Sequence, residues 1–414
     1  MAGRVAVPVR SSLPAELRRI GGPEQALSRP QARGRLASIW AVQRFGAFGD
    51  RLRAFAQPWE VVSFLWVPAL GIAYACWFEF SAREALQDFG IFRSAALQVV
   101  HGRSPYVDPN ATALAHFDKF VYPPIAALLF APFAALPGEA ARVLMFLAGL
   151  AAVLGALRLL GVEDWRCYGV AVVSAPAINS LALGALTSFL LLGAALAWRY
   201  RDTPAGTAVA AAFTAVLKLF LWPLAVWLLV TRRWRALVIC AAAALVLLLG
   251  GWAVIGFAGL RDYPTLVHVL ERIEGPVSYS TVALLGLSGG AETAVTVALS
   301  LAAVVAIWLA AHGPGGDRRA LAVAILASLV ATPLVWLHYL LLLYVPIGLY
   351  RPRLSGLWFL PLVLWITPLT HSQGVTWRIA LVLGVVGAVA LRTIGAAVRP
   401  TLGRAGVTPR PAES

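Results

Sequence analysis

The sequence predicts an all-α, polytopic membrane protein of about twelve transmembrane helices, and three observations carry that prediction. Of its 414 residues, 60% are hydrophobic and only 13% are charged, whereas a soluble domain carries about a quarter charged residues. Runs of ~20 apolar residues recur along the chain, long enough to cross a bilayer. The basic residues gather in short segments between those runs, the pattern of cytoplasmic loops in membrane proteins. The apolar runs are continuous and do not alternate, which excludes an outer-membrane barrel. The net charge of +15 therefore reads as loop orientation, and no nucleic-acid partner is expected.

Taken in order, residues 1–57 carry ten arginines and no hydrophobic core of a signal peptide. They are expected to form a basic cytoplasmic tail, with a surface helix near Arg35–Phe55. Trp59 to Phe80 is the first span, and Arg51 and Arg53 hold its start inside. A polar stretch of about 81–121 follows, on the outer face. Next comes VYPPIAALLFAPFAALP, read as a second span that starts at Pro123 and Pro124 and closes at Pro137–Gly138. Further spans are expected near 140–160, 167–182, 185–198, 205–218, 219–231, 236–256, 292–311, 320–335, 337–350, 355–370 and 377–395. Residues 396–414 form a second basic cytoplasmic tail. Counting every run gives thirteen, but two basic tails on one side require an even number. The region 121–198 is where a run is expected to be short or re-entrant. With Arg199/Arg201, Arg232/Arg233/Arg235, Arg318/Arg319 and Arg351/Arg353 inside, the outer regions are 81–121, the break at Leu217–Pro223, 257–291, Thr332–His338 and about 371–377. Cys76, Cys167 and Cys240 lie in or beside apolar runs without ligand spacing, and read as small buried hydrophobes.

A few residues stand out against this apolar background. Asp88 heads DFGIFRSAALQVVHG, with Phe92, Ala95 and Val99 on its helical face. A carboxylate heading an apolar stripe is partly desolvated and suits a general base; a helix N-cap suits it equally. Lys218 sits inside AAAFTAVLKLFLWPLAVWLL, where an ionisable group marks function by default unless it snorkels to the interface. The chain has only two lysines, Lys119 and Lys218, among 34 basic residues, so a lysine here is a choice. Its compact ammonium suits a phosphate. His338 follows the Thr332–Pro333 break and reads either as a packing residue or as a ligand for a phosphate or a hydroxyl. The other histidines show no metal-ligand spacing, so neither a metal nor a cofactor is expected. The 257–291 stretch carries Arg261, Asp262, Tyr263, Arg272 and VSYST at 277–281, groups that suit a sugar or any solvated loop. Most of the fifteen tryptophans are explained by an aromatic interface belt.

The order DFGIFRSAALQVVHGRSPY, FVYPPIAALLFAPFAALP, LKLFLWPLAVWLLVTRRWRAL and ATPLVWLHYLLLLYVP resembles glycosyltransferase family 87, membrane enzymes of the GT-C superfamily. Known members are mycobacterial α-1,2-mannosyltransferases that extend mannosylated phosphatidylinositols and lipoglycans. The likeness covers about Trp59 to Arg392. It implies a GT-C-type domain over 58–395, with juxtamembrane helices in the first extracytoplasmic loop, in a bacterial plasma membrane with its site facing outward. It further implies that a sugar, mannose above all, passes from a polyprenyl-phosphate donor to a hydroxyl of a glycolipid or cell-envelope glycan, with inversion. Asp88 would then be the general base. Lys218, with His338 or Arg103, would hold the phosphate, and Tyr122 and Tyr279 would line the substrate site. Two departures touch substrate-binding surfaces: Ala185 in LALGALTSFLL, where members often carry Gln, and SYSTVALL in place of an Asn-Gln-Ser-like element. The alternative is a transporter or flippase of lipid-linked sugars, against which no internal repeat is found.

Overall fold

A computed structural model describes residues 58–81, 86–108, 119–369 and 372–398. The tail expected at 1–57 lies outside the described residues, as does all of 396–414 beyond Val398. All regular structure among the described residues is helical. Among the described residues, four helices are long and apolar enough to cross a membrane, Gly138–Leu159, Trp234–Val254, Gly289–Ala311 and Thr376–Ile394, or five spans if the bent pair Ala175–Leu183 and Thr187–Arg199 counts as one. Much of their surface faces outward and is hydrocarbon; Val238 is 69% and Val246 68% exposed. Exposed apolar area on that scale belongs in lipid.

The expected count of about twelve spans is not confirmed. The run at 121–137 is two short helices, Pro124–Leu129 and Ala131–Ala134. At ~1.5 Å per residue the longer rises only about 9 Å, far short of a bilayer. Pro123 and Pro124 start it, and Pro132 at the head of the second leaves no room for one continuous helix. Elsewhere the helices end close to where the sequence places its breaks. Ala175–Leu183 and Thr187–Arg199 meet at a bend of 115°, Pro204–Leu217 stops at Lys218, and Gly316–Ala331 stops at Thr332. The 355–370 run is a 3-10 helix, Gly356–Ile366, with Pro361 inside it. The stretch 257–291 is mostly ordered helix, Tyr263–Glu274 and Thr281–Leu284, joined through Gly275–Val277.

The polar connections segregate to two ends. At one end Arg233 makes a bidentate pair with Asp317 at 2.6 and 2.9 Å, Trp227 donates to the same carboxylate, and Arg201 lies 3.7 Å from it. Glu163 donates its backbone N–H to the Pro352 carbonyl and pairs with Arg353 there. At the other end lie the segments 86–108, 119–136, 263–284 and 332–338. They are tied together by Tyr263 donating to the Val121 carbonyl and by the Tyr279 N–H donating to the Val335 carbonyl. Cys167 and Cys240 are buried and free.

The helix Gln87–Val100 is clamped at this second end. Its buried face is Phe89, Phe92, Ala95, Ala96 and Val99, the stripe that the sequence periodicity marks. Phe92 stacks on Phe130 at 4.6 Å, and Arg93 donates to the carbonyls of Phe133 and Leu136. Gly184, at the bend of the broken pair, has φ +64°, and a Cβ there would stand 2.7 Å from the Cβ of Phe89. Gly184→Ala therefore combines left-handed strain with a clash against the helix that carries Asp88. We expect it to cost about 2–4 kcal/mol, read as a lower melting temperature of the purified protein.

Candidate active site

Three helix breaks and two surface helices converge on one cavity of about 420 Å³. Leu183 comes from the bent pair, and Leu217–Phe220 from the break after Pro204–Leu217. Thr332, Leu334 and Trp336 come from the non-helical stretch before His338. The opposite wall is made by Gln87, Asp88, Ile91 and Phe92 and by the outer-end helix Tyr263–Glu274. A helix end leaves backbone groups without intrahelical partners. Bringing such ends to one place makes a polar pocket inside an otherwise apolar bundle.

Asp88 is the second residue of its helix. The cap position is held by Leu86, left-handed at φ 57° and without a side-chain cap bond. The N-cap reading of Asp88 is therefore replaced: its carboxylate lines the cavity instead. Burial pushes the Asp88 carboxyl up to about 6, and the Lys218 ammonium opposes the rise. Lys218 is 7% exposed and leaves the helical conformation at φ −144°. Its Nζ lies 3.6 Å above the Tyr339 ring and 5.3 Å from that of Tyr122, and Phe220 stacks on Tyr339 at 4.9 Å. Ring faces attract an ammonium, so the lysine stays buried between aromatic walls and does not snorkel away. His338 is buried, with Nδ1 3.3 Å from Asn179 Oδ1.

Of the residues singled out in the sequence, the structure thus brings Asp88, Lys218, His338 and Tyr122 to one cavity. Arg103 is exposed just past the end of the Gln87–Val100 helix and does not line it. Tyr279 is fully buried beside Val335, and its hydroxyl donates to the Pro368 carbonyl at 2.8 Å. That position braces the outer end.

Sequence reading missed Glu274, Glu271, Lys119 and Tyr339, which line the same cavity. Both lysines of the chain are therefore there. Glu274 is 8% exposed. Burial pushes its carboxyl up to about 7, Asp88 adds to the rise, and Lys218 and Lys119 oppose it. The signal that finds it is spacing. Tyr263, Val267, Leu270, Glu271 and Glu274 recur at helical intervals along one face of Tyr263–Glu274. Chemically, the cavity offers a raised carboxylate on one wall and an ammonium on another, with aromatic rings between them. That arrangement can take a proton from a hydroxyl and hold an anion.

A family profile described as glycosyltransferase family 87 matches residues 120–338. The matched stretch contains Tyr122, Lys218, Glu274 and His338, and Asp88 lies upstream of it. A polyprenol-phosphate-mannose-dependent alpha-(1-2)-phosphatidylinositol pentamannoside mannosyltransferase of Mycolicibacterium smegmatis is 25% identical over 300 residues, 64% of this chain and 67% of that protein. No solved structure matches the chain.

Proposed function

Because the chain belongs to glycosyltransferase family 87, we propose that this membrane glycosyltransferase moves a sugar from a polyprenyl-phosphate donor to a hydroxyl of a glycolipid or cell-envelope glycan. Mannose is the sugar favoured by the relative's donor. The reaction takes place on the extracytoplasmic face of a bacterial plasma membrane. Basic connections at one end of the bundle and the cavity at the other support that orientation. The observation that carries the reading is the pairing of Asp88 with Lys218 across a single cavity.

The chemistry is a single displacement. The acceptor oxygen attacks the anomeric carbon while its proton passes to the Asp88 carboxylate. The bond from that carbon to the phosphate oxygen breaks, its electron pair stays on the phosphate, and polyprenyl phosphate leaves. Lys218 stabilises the charge that appears there. One base and a good leaving group suffice, without the two-carboxylate pair of a glycosidase. A β-linked donor gives an α product.

The test incubates purified protein with radiolabelled polyprenyl-phosphate mannose and a membrane lipid extract. Label moving to a new lipid supports the proposal and identifies the acceptor. Labelled donor crossing vesicle membranes with no new product would replace it with the transporter reading.

The pH profile is a further expected result. Only the carboxylate form of Asp88 accepts a proton, so kcat/KM should rise with pH through about 6. Glu274 titrates nearby at about 7, and the two are separated by mutation. The rising limb should persist in Glu274→Gln. A limb that vanishes in that variant would assign the base to Glu274.

A further inference from the structure

We propose that Asn179 is a positioning residue. It fixes His338 with its proton on Nδ1, so that Nε2 presents a lone pair that accepts a hydrogen bond from a hydroxyl of the transferred sugar.

The geometry starts from the broken helix. Asn179 lies in Ala175–Leu183, and His338 is the second residue of Leu337–Leu343; the two are 159 positions apart in the chain. Each is 4% exposed, and His338 Nδ1 stands 3.3 Å from Asn179 Oδ1. An amide oxygen only accepts, so the proton between them belongs to the ring nitrogen. A neutral imidazole has one N–H, and the partner of one nitrogen sets the state of the other. Here Nε2 is left without a hydrogen. Among the described residues that same Nε2 is buried and meets no donor or acceptor, and His338 lines the cavity. A buried polar atom without a partner is rare and costly, which points to a substrate group that completes it.

The identity of that group follows from chemistry and position. A lone pair repels a phosphate oxygen and attracts an O–H. The cation for the phosphate is already at hand: Lys218 Nζ is 3.6 Å above the ring of Tyr339, whose neighbour in the chain is His338, ring centroid 4.8 Å away. The part of the donor next to its phosphate is the sugar, so the hydroxyl nearest His338 belongs to the sugar being transferred. This second half rests on the glycosyl-transfer reading; the tautomer does not.

Two measurements test the halves separately. Full-length protein labelled with [15N]histidine gives two-bond 1H–15N correlations that distinguish the tautomers, and His338 is assigned by its disappearance in His338→Gln. The expected result is Nδ1–H in the wild type and its loss in Asn179→Leu. Nε2–H in the wild type overturns the proposal, and that reading stands even if Asn179→Leu does not fold. For the hydroxyl, monodeoxy polyprenyl-phosphate hexoses are compared as donors. One position should lose roughly tenfold in kcat/KM with the wild type and lose nothing further in His338→Ala. Polyprenyl phosphate should inhibit both proteins equally. Inhibition weakened tenfold in His338→Ala, with every deoxy penalty intact, would place His338 at the phosphate and overturn the assignment. A protein that transfers no sugar at all fails the glycosyl-transfer reading and leaves the tautomer result standing.

Discussion

Purified Asp88→Asn protein should lose about a thousandfold or more of its transfer rate while it folds and binds donor as the wild type does. The size follows from the proposed role. A positioned general base contributes typically 10²–10⁴-fold, and an amide of the same shape accepts no proton at neutral pH. The fold tolerates the change because Asp88 caps nothing: Leu86 holds the cap position, and the helix is fixed by Phe89, Phe92 and Arg93. The amide keeps the shape of the carboxyl, and Glu274 still lies near enough to oppose the Lys218 charge, so the fold should hold. Two controls make the result specific. The rising limb of the pH profile should be absent from the residual activity, and binding of polyprenyl phosphate should match that of the wild type. Transfer within a few fold of wild type in folded Asp88→Asn protein would move the base elsewhere, and Glu274 on the facing helix would be the next group to replace.

The residues that were legible in the sequence are those whose type was costly where they stood. Asp88 heads an apolar stripe, and Lys218 interrupts an apolar run in a chain that otherwise uses arginine. Both line the cavity. Glu274 was not legible in this way. It closes an amphipathic helix in a polar stretch, where a glutamate looks ordinary until the helix face is drawn and its partners at 263, 267 and 270 appear beside it. Asn179 was invisible for a different reason. Its significance is a contact with a residue 159 positions away, and no local pattern carries that. The fold divided similarly. Long uninterrupted runs such as Trp234–Val254 read correctly as helices. Runs with internal prolines, at 121–137 and 355–370, read as whole spans, because a hydropathy window averages over the residue that ends the helix. The breaks where the cavity forms were legible: expected spans part at 182–185, and Leu217–Pro223 and Thr332–Pro333 read as breaks, and the helices stop at Gly184, Lys218 and Thr332.

Lys218→Met should lower kcat by roughly 10²–10³, the loss typical of removing one group that stabilises developing charge. Met keeps most of the length and the apolar character of the stem and deletes the ammonium, so the aromatic walls of Tyr339, Phe220 and Tyr122 can still close on it. Lys218→Arg should recover only part of the activity. A planar guanidinium is larger than the ammonium and points its donors in fixed directions, whereas this position holds a compact charge 3.6 Å above one ring. The same substitution carries an electrostatic signature that a packing defect would not. Lys218 opposes the upward push of burial on Asp88. Without that ammonium the carboxyl must rise further, so the activity limb of Lys218→Met should move above about 6, to higher pH. Its direction is fixed by sign: removing a cation always favours the neutral acid. Glu274 is also held down by Lys218, and the two carboxyls then share a site with one fewer positive charge. A kcat within threefold of wild type, with the limb unmoved, would remove Lys218 from the phosphate and leave the anion to Lys119, which lines the same cavity.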